Sequence, residues 1–339
     1  MLRSLRQTYR LFAPVKAHKQ KCLIFLPAGP AEVAAFIAEA AARTPLSITG
    51  LASKAALGRP VKNLCRLDLS ALAGVTFYEP DELVFSALAG TPVDTIGALL
   101  AGNAQELPFE PMSFGALYGT GPGTLGGCLM TNLSGPRRIK AGAARDFVLG
   151  IKAVSGRGDV FKAGGRVVKN VTGYDLPRGL AGSFGTLAVA TEITLKVLPR
   201  AEISVTLILE NLDPSRAAEA LCTAMGAPVD VSGAAHLPPG AAKTQGFATA
   251  ITALRLEGFA PSVTERYERL ALMLKSFTSA VLFWSPGVCG QNFKDADQFF
   301  CRAAQKSGDG GGGKDSPRLR PLRLLHRDLP HLRAAWRRT

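Results

Sequence analysis

Four things are scarce in this chain, and each scarcity excludes something. The six cysteines (Cys22, Cys65, Cys128, Cys222, Cys289 and Cys301) are widely spaced, and no C-x-x-C occurs. Such spacing offers neither a zinc or iron–sulfur ligand set nor a compact disulfide framework, and a reducing compartment is the default. Only four histidines occur (His18, His236, His326 and His331), none near the glycine-rich stretch around residue 120. That disfavours a histidine-linked prosthetic group, and a metal-assisted hydrolase as well. No apolar run reaches the ~18 residues that a membrane-spanning helix needs. Leu23–Leu26 is too short for a signal-peptide core.

Acid is scarce at the two ends only. The formal net charge of +14 invites a nucleic-acid reading until it is located. Residues 1–22 hold six Lys/Arg and no acid, and residues 301–339 hold ten Lys/Arg and three Asp, which leaves +1 for residues 23–300. A nucleic-acid-binding domain carries its basic surface on folded elements, so no nucleic-acid partner is expected. Residues 1–22 read as a basic, disordered start, although their composition also resembles an organelle presequence. Residues 301–339 have no amphipathic register. Their Arg, Leu, Pro and His content is that of a shifted reading frame in GC-rich DNA.

Between those ends the chain is apolar enough to fold, at 47% hydrophobic over 339 residues, with 36 glycines and 22 prolines. Periodicity predicts a helix from Pro30 to Arg43, strands at Leu46–Thr49, Val75–Tyr78 and Leu83–Ala89, and a helix over Thr91–Leu100. Glu110–Asp146 has eight glycines and little regular pattern, and reads as long connected loops. Phe147–Ser155 and Val160–Ala163 read as a hairpin. A strand near 187–197 follows, with Leu187, Val189, Ile193, Leu195 and Val197 on one face and Glu192, Thr194 and Lys196 on the other. Beyond Arg200 come strand Ser204–Leu209, helix Ser215–Met225, strand Phe247–Leu256 and helix Val263–Lys275. That order suits a ferredoxin-like unit.

The chemistry concentrates in Gly119–Gly127, which reads GTGPGTLGG. Glycine costs conformational entropy, so such clusters occur where backbone approaches a ligand closely or adopts positive φ. Free N–H groups in succession form a nest for a pyrophosphate. Gly121-Pro-Gly123-Thr-Leu-Gly126, with Asp146 twenty residues on, also matches the dinucleotide fingerprint G-x-G-x-x-G. The context of that fingerprint is missing, because a hydrophobic strand should precede it and Glu110–Tyr118 contains Pro111 and does not alternate. A nicotinamide site is therefore not expected.

Four stretches resemble a known family in the family's own order: ITGLASKAALGRP (48–60), FEPM (109–112), GTLGGCLMTNLSGPRRIKAGAARDFVLG (123–150) and GGRVVKNVTGYDLPRGLAGSFGTLAVATEITLKVLPR (164–200). They are similar to the FAD-binding subunits of glycolate oxidase (glycolate dehydrogenase), GlcE type, within the vanillyl-alcohol-oxidase/PCMH-type FAD-binding superfamily. NLSGPRR and KNVTGYDL are the parts that point to the family. The resemblance implies an α+β chain with a two-lobed PCMH-type FAD-binding domain over 23–200. A partial ferredoxin-like α+β cap would follow over 201–300.

It also implies which residues hold the cofactor. One loop for the FAD pyrophosphate would be Gly50–Lys54, with Gly50, Ser53 and Lys54 as contacts, although Leu51 restricts φ where many relatives have glycine. The second would be Thr124–Cys128, with Thr124, Gly126 and Gly127. Asn132, Ser134 and Gly135 would run alongside the flavin, and Gly185, Thr186 and Leu187 would line the adenine side. Arg137 and Arg145 are candidates for phosphate or carboxylate; for Arg138 solvated surface charge is an equal alternative. Lys169, Asn170, Tyr174 and Asp175 form a second family-like cluster. There Tyr174 would line the flavin or sit in the core, and Asp175 would cap a helix. His236 reads as a loop residue, and no catalytic base is assigned. FAD would be bound non-covalently. The chain would act with a catalytic flavoprotein subunit and an iron–sulfur subunit, in the cytoplasm, meeting a membrane through partners only. A truncated scaffold subunit and a stand-alone FAD-dependent oxidoreductase remain the alternatives.

Overall fold

A computed structural model of the chain describes residues 24–40, 45–58, 65–167, 173–277 and 281–284. The expectations for residues 1–22, Lys169, Asn170 and 301–339 lie outside the described residues. Two compact units result. One takes the chain up to Ser134 and again from Gly142 to Arg200; the other takes Gly135–Ala141 and the chain from Ala201 onward.

The first unit opens with β1 (Ile24–Phe25), α1 (Pro30–Ala40), β2 (Leu46–Thr49) and β3 (Cys65–Asp68). The three strands form a parallel sheet in the order β1-β3-β2. Pro30 fits the first turn of α1, and the Glu32 carboxylate there accepts a hydrogen bond from the Ala28 N–H at 2.8 Å. Val33 and Ile37, one turn apart, are buried against Phe25, Leu67 and Leu69. Phe36 stacks on Phe25 with ring centroids 4.5 Å apart.

The rest of this unit runs β4 (Val75–Glu79), β5 (Val84–Leu88), α2 (Val93–Ala101), β6 (Gln105–Glu106), α3 (Gly115–Tyr118) and α4 (Leu125–Thr131). After α5 (Arg138–Ala141), which belongs to the other unit, come α6 (Ala144–Phe147), β7 (Val148–Ser155), β8 (Val160–Gly164), α7 (Leu176–Leu180), β9 (Ala188–Lys196) and β10 (Leu198–Pro199). Five of these strands form an antiparallel sheet in the order β4-β5-β9-β7-β8. The expected loops of Glu110–Asp146 hold four short helices, of which the longest has seven residues. Helices that short, broken by glycine, leave no visible period. The expected alternation of β9 fails as well. As the central strand it is buried on both faces, with Thr194 bonded to Ser86 at 2.8 Å between hydroxyls, and Leu187 falls outside it, 63% exposed.

The second unit is built from β11 (Ile203–Glu210), α8 (Pro214–Gly226), β12 (Gly233–Leu237), α9 (Pro239–Lys243), β13 (Ile251–Gly258), α10 (Ala260–Met273) with a 3-10 turn at Leu274–Ser276, and β14 (Val281–Trp284). The sheet order β12-β13-β11-β14, all antiparallel, is that of a ferredoxin-like β-α-β-β-α-β motif. All four strands of the motif are present. One sheet face packs Leu207, Leu209, Leu254 and Leu256 on Ala217, Ala220, Val263 and Leu270 of the two long helices. Asp213 starts α8 by accepting hydrogen bonds from the Ser215 and Arg216 N–H groups at 2.9 and 3.1 Å. The strand expected from Phe247 begins only at Ile251. Phe247 precedes it as part of a smaller cluster with Leu237 and Ala253.

Candidate functional site

Helix α4 begins at Thr124, whose extended backbone and Oγ1, accepting from the Gly127 N–H at 3.1 Å, make a standard N-cap. Its first amides are already engaged. Leu125 N–H donates to the Thr91 carbonyl at 2.9 Å, Gly126 N–H to the Ala89 carbonyl at 2.7 Å, and Cys128 N–H to the Thr124 carbonyl at 2.9 Å. Gly126 is glycine because a Cβ there would meet Ala89 at 2.9 Å. The start of α4 is therefore not a nest of free amides, and what Gly126 and Gly127 provide is room.

The loop after β2 supplies what α4 does not. A Cβ on Gly50 would lie 2.5 Å from Thr124 Oγ1, so the loop and the helix start are in direct contact. Ser53 is buried, and its carbonyl accepts from the Thr120 hydroxyl at 3.2 Å. The amides of Leu51, Ala52, Ser53 and Lys54 donate to no acceptor among the described residues. Leu51 does not need positive φ. Ala52 takes it instead, at +54°.

Lys54 lies half-buried beside the same glycines. A Cβ on Gly123 would meet its Nζ at 3.2 Å and Ser53 Oγ at 3.4 Å, and one on Gly127 would meet Nζ at 3.9 Å. The ammonium sits 5.5 Å from the Phe114 ring centroid and has no carboxylate within 4 Å among the described residues. Burial lowers its pKa from the ordinary lysine value, partly offset by the nearby Cys128. Burial in turn pushes the Cys128 thiol up to about 11, against the pull of Lys54.

The third segment closes on the far end of α4. Asn132 is its left-handed C-cap at φ +50°, and its Oδ1 accepts from the Arg145 N–H at 3.0 Å. Ser134 Oγ accepts from the Ala144 N–H at 3.1 Å. Gly182 and Phe184 donate their amides to the Leu129 and Met130 carbonyls at 3.2 and 2.8 Å. Gly185, at φ +75°, approaches Ile48 of β2 so closely that a Cβ would meet Ile48 Cδ1 at 3.2 Å. Thr186 bonds back to the Ser183 carbonyl at 2.6 Å. Phe184 and Leu187 stay exposed, and Phe184 also holds positive φ, +54°.

The structure thus joins Gly50, Ser53, Lys54, Thr124, Gly126, Gly127, Asn132, Ser134, Gly185, Thr186 and Leu187 on three touching segments of one unit. The Arg145 guanidinium lies at its edge, half-exposed and 3.9 Å from Asp146. Gly135 and Arg137 belong to the second unit. There Arg137 grips Glu257 through Nε–Oε2 at 3.1 Å and Nη2–Oε1 at 2.6 Å. Tyr174 is 91% exposed rather than packed in the core. Asp175 does cap α7, accepting from the Arg178 N–H. His236 stands on strand β12 with Nδ1 3.0 Å from Thr252 Oγ1, not in a loop. Phe114 and the positive φ of Ala52 are contributors that the sequence pattern does not reveal.

Four unengaged amides, a half-buried cation without a carboxylate and a cradle free of Cβ atoms suit the two negative phosphates of a dinucleotide. Among the described residues no group of His, Cys, Asp and Glu could hold a metal ion, and no helix is long and apolar enough to cross a membrane. The chain is 47% identical over 165 residues to the glycolate oxidase subunit GlcE of Escherichia coli (strain K12), a match covering 49% of this chain and 45% of the relative. It is 39% identical over 139 residues to the glycolate oxidase subunit GlcD of Bacillus subtilis (strain 168), covering 40% of this chain and 28% of the relative. The chain thus spans less than half the length of these curated relatives. Among solved structures, an alkyldihydroxyacetonephosphate synthase superposes with a TM-score of 0.61 at 18% identity, over 78% of this chain and 51% of the other, which shows a shared fold. Residues 23–164 match the family described as FAD binding domain.

Proposed function

We propose that this chain is the FAD-binding subunit of a glycolate-oxidising complex. The observation that carries the reading is the Lys54 cradle, a cation beside the Cβ-free backbone of Gly123 with four open amides in its loop, in a chain 47% identical over 165 residues to a GlcE relative. Leu51–Lys54 would donate their amides to the pyrophosphate while Lys54 balances its charge, with Gly50 holding that loop against Thr124 and the Ser53 carbonyl holding it to Thr120. Gly126 and Gly127 keep the opposite wall low. Asn132 and Ser134 would set the backbone alongside the flavin, and Gly185, Thr186 and Leu187 would form the adenine-side wall, with Arg145 at the rim. The flavin would be held non-covalently. Bound FAD would supply the capacity to accept a hydride from the hydroxyl-bearing carbon of a 2-hydroxy acid.

The complex would include a catalytic flavoprotein subunit of the GlcD kind and an iron–sulfur subunit. It would work in the cytoplasm and reach a membrane through those partners. Purification of the full chain tests the reading. A yellow protein whose flavin leaves on acid precipitation, inactive on glycolate alone and active when co-expressed with the flavoprotein partner, is the expected result. A folded but colourless protein would leave only a scaffold role. Glycolate turnover by the chain alone would make it an autonomous oxidoreductase.

A further inference from the structure

Between α7 and β9 the chain makes a tight turn in which three of four successive residues take positive φ, Gly182 at +84°, Phe184 at +54° and Gly185 at +75°. Glycine adopts that conformation freely, but for a bulky L residue it is costly. Burial of the Phe184 ring offsets little of that cost, since the residue is 57% exposed, and Leu187, three residues on, is 63% exposed. The Ser183 hydroxyl is closed off from solvent and has no hydrogen-bond partner among the described residues. An exposed phenylalanine on relaxed backbone needs no explanation. One held out on strained backbone does, because such strain persists only where the surroundings impose it, and it clusters at active sites and ligand clamps.

The turn is fixed from three sides, all within the first unit. The Gly182 and Phe184 N–H groups donate to the Leu129 and Met130 carbonyls of α4 at 3.2 and 2.8 Å. The Thr186 N–H and hydroxyl both donate to the Ser183 carbonyl, at 3.0 and 2.6 Å. A Cβ on Gly185 would meet Ile48 of β2 at 3.2 Å, which leaves little slack there. These anchors lie close to the Lys54 cradle. Met130 follows Gly127 by three residues, about 4.5 Å of helix rise, and a Cβ on Gly127 would meet Lys54 Nζ at 3.9 Å. Ile48 stands two residues before Gly50, which touches Thr124. An aromatic ring at that remove from a diphosphate lies where the base of an adenosine diphosphate falls, one ribose away. Adenine is uncharged with two π faces, and an exposed phenyl ring offers it stacking that needs no hydrogen bond.

We propose that Phe184 is the stacking platform for the adenine of FAD, and so the residue by which this chain tells FAD from flavin mononucleotide (FMN), which has no adenine. This rests on the reading that the Lys54 cradle holds the pyrophosphate. The test compares the full chain with Phe184→Ala, Phe184→Leu and Phe184→Trp. Affinities for FAD and FMN by fluorescence titration, and for ADP by calorimetry, are set beside the melting temperature of the FAD-free chain.

Phe184→Ala and Phe184→Leu should each weaken FAD and ADP on the order of tenfold, with FMN binding and melting temperature unchanged. Leucine keeps the apolar cover without the π face, so its loss isolates stacking. Phe184→Trp should bind FAD at least as tightly as the wild type. Wild-type affinity for FAD and ADP in the Ala and Leu variants overturns the proposal and leaves the FAD reading intact. An equal loss for FAD and FMN also overturns it, by putting the ring against the flavin instead. Loss of the fold in both variants would make Phe184 a packing residue and overturn it as well. A wild-type chain that takes up neither FAD nor ADP overturns both readings.

Discussion

Ala52 carries a backbone conformation that glycine adopts more cheaply. Its φ of +54° puts its Cβ close to the following carbonyl, a cost of roughly 1–2 kcal/mol, and the loop around it is the one with open amides. Substituting Ala52→Gly relieves that cost but frees the unfolded chain, which offsets about 0.4–1 kcal/mol. The net expectation is a gain of about 0.5 kcal/mol, measured by denaturant unfolding of the FAD-free chain; a loss of stability would show that the Ala52 methyl packs more than it strains. Lys54 presents the opposite balance. With its pKa lowered in the folded chain, the unfolded chain binds more protons between the folded value and the ordinary 10.5. Stability of the FAD-free protein therefore rises as pH rises through that window. Lys54→Met should remove this alkaline rise, leave the FAD-free fold at least as stable at pH 7, and weaken FAD by roughly tenfold. Unchanged affinity would remove Lys54 from the cofactor site.

At the scale of elements, Glu257 shows how β13 is tied into its unit. Burial alone would raise its pKa, yet the hydrogen bonds from Arg137, the charge of Arg255 and the Ser232 hydroxyl outweigh burial and hold it below the ordinary carboxylate value. For a lowered carboxylate pKa the sign is fixed. The stabilisation is present above the unfolded value of 4.5 and is lost as pH falls through the folded value. An acid titration followed by tryptophan fluorescence should show the second unit losing stability below about pH 4.5, and Glu257→Gln should flatten that limb. If the limb is as steep in the variant, other carboxylates set it. What was legible in the sequence among these elements is what is local. The Pro30 start of α1 and the Asp175 cap of α7 sit within a few residues of what they determine. Strand β12, Gly-Ala-Ala-His-Leu, has no β-branched residue and was not seen, because its strand character comes from pairing with β13. The three segments of the candidate site could be picked out by their glycines, but not which glycine serves packing and which serves approach. Gly126 is decided by Ala89, 37 positions away. The Arg137–Glu257 pair spans 120 positions and no local pattern encodes it.

For the whole molecule, the question is whether two units joined by three chain crossings respond to FAD as one. Two units of separate core would ordinarily melt in separate transitions, so a single unfolding free energy is not defined for the chain. FAD contacts proposed for the first unit stabilise only what unfolds with it, by about 2.7 kcal/mol when free FAD is a hundredfold above Kd. Saturating FAD should then raise the calorimetric transition of the first unit and leave that of the second in place. Hydrogen exchange of Leu207 and Leu254, buried in the second core, assigns the transitions. Protection of those amides that rises with FAD would overturn the assignment of the cofactor contacts to the first unit alone.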